Sequence, residues 1–228
     1  MNILAQRSPP QQPLPEPPLG SEQRLLLHNI SWQDYQTIGD ILRDRPSLRL
    51  TYDRGSLEFM TTSSRHEVYK RWLSRLVEAL AEELNIPIAP GGNVTLKREV
   101  LERGLEPDDC FWIANERRVR GKLDLDFATD PPPDIVLEIE VSRSALNRMD
   151  LYAALGIPEV WRFDGQTLQV HVLQPDRTYQ AVERSPTFSL VPPAEIVRFL
   201  QPSETQDYLS VIRSFRTWVR EQLARKEE

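Results

Sequence analysis

The chain has one cysteine, Cys110, among 228 residues. That excludes an internal disulfide framework and fits a reducing compartment, so a cytoplasmic location is expected. No apolar run approaches the ~20 residues of a membrane span. The N-terminus also lacks the basic, apolar and small-residue order of a secretory signal. A soluble protein with no membrane partner is expected. Histidines number only three and are scattered. With one cysteine they cannot make a zinc site of ordinary spacing. Neither type of Gly-rich phosphate-cradling motif is present, nor a Gly-x-Ser-x-Gly elbow. Excess positive charge is missing too: the formal net charge is −6. Nucleic acid as a partner must therefore be argued from local chemistry.

What is present is enough apolar sequence for a core, with 39% hydrophobic and 27% charged residues. The length fits one domain with appendages. The stretch Pro133–Ser142 stands out. It reads as a buried strand, with Ile135, Leu137, Ile139 and Val141 on one face. Val136, Glu138 and Glu140 share the other. Two carboxylates on one face lie roughly 7 Å apart. Charged groups are rarely buried unless paired or bound to metal. That face is either wet or a site.

Residues 1–20 form a proline-rich tail that cannot bury enough surface to offset its ordering entropy. A domain is expected over residues 21–202, and a C-terminal helix over 203–228. Within the domain, Ser31 and Asp34 are spaced as a capping box before Trp32, Tyr35, Ile38 and Leu42, which recur at helical spacing. Residues 48–60 alternate about an Asp53–Ser56 turn, predicting a β-hairpin. In it Glu58 reads as an exposed strand residue. Ser64 and Glu67 are spaced to open a long helix whose stripe runs from Tyr69 to Leu84. His66, in its first turn, points inward and on position alone reads as a packed residue.

Asp108 and Asp109 begin a strand through Ile113. A polar loop over 114–130 is expected to dock through Leu123 and Leu125. Ser142 is a candidate N-cap for a helix over 143–155 that ends at Gly156. Strand 157–163 would complete a right-handed crossover. Two further strands, near 168–172 and 179–182, would extend it as an antiparallel meander. A short helix is expected over 192–200. A second capping box, Ser203 to Gln206, would open a helix over 204–224. Its wide apolar stripe predicts packing on the sheet or on a second copy, and a homodimer is expected.

The chemistry left by these exclusions is carboxylate chemistry, from Glu58, Asp108, Glu138 and Glu140. Oxygen ligands suit Mg²⁺ or Mn²⁺. Paired carboxylates without metal could cleave glycosides, but the chain is short for the barrel such enzymes use. The order of Glu58, His66, Pro107-Asp108 and Pro133-Asp134-Ile-Val-Leu-Glu138 is followed by Leu151 to Trp161. This order resembles the Uma-two family of restriction endonucleases, a branch of the PD-(D/E)XK nuclease superfamily. The resemblance spans roughly residues 28–200. It implies an α/β fold with a restriction-endonuclease-like core: a mixed central sheet flanked by helices. It implies that Asp108 and Glu138 share a metal, with Glu58 and His66 in support. The substrate it implies is nucleic acid, DNA foremost. The superfamily lysine expected two residues after the second acid is absent, since that place is Glu140. The resemblance implies that in many relatives this lysine has moved to the following helix, four residues before the tyrosine, a place that here is Arg148. An arginine can neutralise charge but cannot give up a proton. The rival reading is a non-catalytic interaction protein on the same scaffold, with Arg148 paired to Glu138 or Glu140.

Overall fold

The computed structural model describes residues 22–45, 47–201 and 205–227. The proline-rich tail and the start of the second capping box lie outside them. Two sheets carry the fold. The first contains β1 (Gln23–Leu27), β2 (Leu48–Asp53), β3 (Ser56–Thr61), β5 (Leu96–Arg98) and β6 (Arg103–Leu105). They run in the order β1-β3-β2-β6-β5, antiparallel at each pairing. The second contains β4 (Ala89–Pro90), β7 (Asp109–Trp112), β8 (Ile135–Ile139), β9 (Glu159–Phe163), β10 (Leu168–Leu173) and β11 (Tyr179–Val182). Its order is β11-β10-β9-β8-β7-β4. Among the described residues only β8 and β9 pair in parallel. The expected meander is therefore present as β9-β10-β11.

Helix α1 (Trp32–Ile41) begins at the predicted Ser31–Asp34 capping box. Its Trp32 and Tyr35 pack on Leu50, Tyr52 and Leu57 of the first sheet. Helix α2 (Ser64–Glu83) is capped by Ser63, whose side chain accepts from the His66 amide, and not by Ser64. The alternation read along residues 135–139 holds. Ile135, Leu137 and Ile139 join α2 in the larger core, with α5 (Pro193–Leu200) and α6 (Tyr208–Glu227). Val136 faces the opposite side and packs with Cys110, Val160 and helix α4 (Arg148–Leu155).

Two local expectations are corrected. Ser142 does not cap α4, which starts later, at Asn147. The Ser142 hydroxyl is held instead by Glu22 and Arg24, and the Ala145 amide by Glu58. With those groups engaged elsewhere, residues 142–146 stay outside the helix. Leu123 does not dock its loop, standing 99% exposed. Anchoring falls to Val119, on the short helix α3 (Glu116–Val119), and to Leu125 and Phe127. Of the two places expected for the C-terminal stripe, packing within the chain is present. Val211, Ile212, Phe215 and Val219 are buried in the α2 core. Glu83 of α2 accepts from both Arg216 and Arg220. No helix among the described residues is long and apolar enough to cross a membrane.

Candidate active site

The β7–β8 register pairs Asp109 with Leu137, so the residue before β7, Asp108, lies across from Glu138 near the end of β8. The Asp108 amide donates to the Leu137 carbonyl at 3.2 Å. The side chain folds back and Oδ2 accepts from the Ile139 amide at 2.7 Å. Both carboxylates are buried. Two acids so placed repel unless cations answer them, and each has its own.

For Asp108 the cation is His66. Its Nε2 lies 2.8 Å from Asp108 Oδ1, and its Nδ1 lies 2.7 Å from Glu22 Oε1. Burial pulls the imidazole pKa down, but hydrogen bonds and charge from Asp108 and Glu22 outweigh it and raise it to about 9. The ring is an imidazolium at neutral pH, with both nitrogens committed. The same contact holds Asp108 below the usual carboxylate range against the upward pull of burial. Glu22 is depressed too: bonds from His66 and Ser142 overcome its desolvation.

For Glu138 the cation is Arg148, in a two-pronged pair with Nε–Oε2 at 3.0 Å and Nη2–Oε1 at 2.6 Å. Tyr152 lies one helical turn on, hence on the same face, and its hydroxyl donates to Glu138 Oε1. The guanidinium also donates to Thr51 Oγ1 at 2.6 Å and to the Glu106 carbonyl at 2.8 Å. Burial pushes Glu138 up, Arg148 pulls it down, and Asp108 adds to the upward push. Burial pushes the Tyr152 phenol well above its ordinary value, so it stays a neutral donor.

Glu58 is 1% exposed, against the alternation that predicted a solvated strand residue. Its oxygens accept from Arg24 at 2.7 Å, Ser144 at 2.8 Å and the Ala145 amide at 2.7 Å. Glu140 does not join the cluster. It pairs with Arg162 on half-exposed surface, so the matched pair suggested by residues 138 and 140 separates into one buried acid and one surface acid. The predicted residues fall into two adjoining sets of polar contacts, Glu58, His66 and Asp108 in one and Glu138 and Arg148 in the other, which meet through the backbone of Leu137 and Ile139 that Asp108 bonds on either side of Glu138. Sequence reasoning missed Glu22, Arg24, Thr51 and the two loop serines. Of these, Glu22 and Arg24 carried a signal, as two charges two residues apart, and so on one face of an extended chain, just before Leu25–Leu27.

Among the described residues, no group of three or more histidine, cysteine, aspartate or glutamate side chains is gathered to hold a metal ion. The Asp108–Glu138 rung does offer hard oxygen donors side by side. A carboxylate has about four lone-pair sites. The contacts above use two on Asp108 and three on Glu138, so each acid keeps at least one lone pair free of the hydrogen bonds described.

A mixed sheet with two buried acids juxtaposed at its strand ends, each answered by a cation, marks an α/β protein whose candidate site is an acid cluster. The matching family model is Uma2, described as "Putative restriction endonuclease", over residues 32–203, and the chain belongs to that family. A solved structure described as a putative nuclease belonging to DUF820, from Anabaena variabilis ATCC 29413, is also similar. It shares 14% identity at a TM-score of 0.42, covering 60% of this chain and 83% of that one. No curated protein matches.

Proposed function

We propose that the chain hydrolyses phosphodiester bonds of nucleic acid, DNA foremost, with Mg²⁺ or Mn²⁺ held by Asp108 and Glu138. The observation that carries this reading is the rung on which those two acids face each other, in a family of restriction endonucleases. A divalent cation there would acidify a bound water and offset charge on the phosphate. The remaining work falls to the chain. The Ile139 amide and the His66 imidazolium fix the Asp108 carboxylate in one orientation. Arg148 and Tyr152 do the same for Glu138. His66 has no free nitrogen and Arg148 cannot be deprotonated, so neither serves as a general base. Arg148 acts as a fixed positive charge.

The test is nicking of supercoiled and linear DNA in Mg²⁺ and in Mn²⁺. Wild type should cut, and Asp108→Ala and Glu138→Ala should each lose about 10³-fold or more. Cutting that survives both substitutions sinks the assignment.

One observation favours a second reading, a non-catalytic interaction protein. Arg148 already spends its donors on Glu138, Thr51, Glu106 and Tyr152. On that reading the internal cation replaces the metal, and calorimetry finds no Mn²⁺ binding that depends on Asp108.

A further inference from the structure

We propose that Glu22 and Arg24 are positioning residues of the acid cluster, so that the site is completed by a strand outside the span that defines the family. The family match begins at residue 32, whereas β1 ends at Leu27. This strand has little apolar reason to be where it is. It lies at the sheet edge, paired with β3, and its Leu25 and Leu27 are 57% and 36% exposed. On its inward side the charged Arg24, and Glu22 just before the strand, stand beside a single half-buried leucine, Leu26. Residues two apart on an extended chain point the same way, and here both Glu22 and Arg24 turn into the site.

Each reaches a different acid. Glu22 Oε1 meets His66 Nδ1 at 2.7 Å, and the opposite ring nitrogen meets Asp108 at 2.8 Å. Arg24 Nη1 meets Glu58 Oε1 at 2.7 Å, and Glu58 Oε2 holds the Ala145 amide at 2.7 Å. The two converge on Ser142, just after β8. Glu22 accepts a hydrogen bond from its hydroxyl, while Arg24 donates to Oγ at 2.9 Å and to the carbonyl at 3.2 Å. Removing the Glu22 carboxylate leaves a buried imidazole N–H without a partner, and the ring is then free to turn from Asp108. Removing the Arg24 guanidinium leaves Glu58 buried without its cation.

Both chains of contact end on a reporter amide, Ile139 for the Glu22 arm and Ala145 for the Arg24 arm. Site-resolved amide hydrogen exchange therefore tests the proposal without reference to DNA cleavage, and failure of the nuclease assignment leaves this test standing. Glu22→Met should lower protection of the Ile139 amide about tenfold or more. Glu22→Gln, which keeps an acceptor oxygen, should leave it within about twofold. Arg24→Met should deprotect Ala145 to a similar extent while Ile139 is less affected. Amides of the β1–β3 ladder, such as Phe59, should hold their protection throughout. The proposal is overturned if the reporter amides do not respond. It is equally overturned if they fall only together with the β1–β3 ladder, since β1 would then be mere edge packing.

Discussion

The parallel pair β8–β9 has buried carboxylates at both ends, and the two ends treat them differently. At the far end, Asp134 accepts from the Ile113 amide and from the amide and side chain of Asn115. Glu159 there accepts from the Trp161 indole, Ser185, and the Thr187 amide and hydroxyl. Every one of these donors is neutral and most belong to loops, so the two acids fasten connecting segments to the sheet. At the near end, Asp108 and Glu138 face each other and are met by His66 and Arg148. A buried acid ringed by amides and hydroxyls is a brace. Two opposed acids that need cations form an arrangement no brace requires, and burial alone would not have separated the two cases.

The contrast can be broken most decisively at Arg148. Arg148→Met strands Glu138 without its cation and should cost about 3–5 kcal/mol in urea unfolding. The double variant with Glu138→Gln should recover most of that. A cost no greater than that of a far-end substitution would erase the distinction. Next in size is a pH effect belonging to the near end. The His66 pKa is raised from 6.5 to about 9. Its contribution is therefore complete below pH ~6.5 and is lost as pH climbs through ~9, roughly 3 kcal/mol in all. Unfolding midpoints measured from pH 6 to 10 should fall in wild type and stay nearly level in His66→Gln.

At the far end, Glu159→Gln keeps one acceptor oxygen and should cost about 1–3 kcal/mol, with any DNA cleavage unchanged. Smallest of all is Glu140→Ala, whose partner Arg162 is half-exposed. It should shift stability by less than about 1 kcal/mol, and a larger loss would return Glu140 to the site.

Where local pattern decides structure, the chain was readable. The period-two alternation of 135–139 assigned both faces of β8, and the capping box at Ser31 placed α1. Asp108 and Glu138 were legible through the family order rather than through spacing. What escaped was whatever depends on a distant partner. Alternation in a hairpin argues for an exposed Glu58, and nothing local reveals that Arg24 and Ala145 will cover it. Glu22 adjoins a proline-rich tail, and its imidazole partner is 44 residues away. Ser142 has the chemistry of a helix cap, but its hydroxyl is claimed by the site. The error at α4 and the omission of Glu22 therefore share one cause.

Arg148 touches both sheets. It grips Glu138 on β8 of one and Thr51 on β2 of the other, and it holds the Glu106 carbonyl on the link from β6 to β7. A lysine's single nitrogen could not span those points at once. The guanidinium is thus a rivet through the layers of the molecule: any hinge motion that widens the gap between the sheets must first unseat it, and rigidity is what an arginine supplies at this place beyond charge.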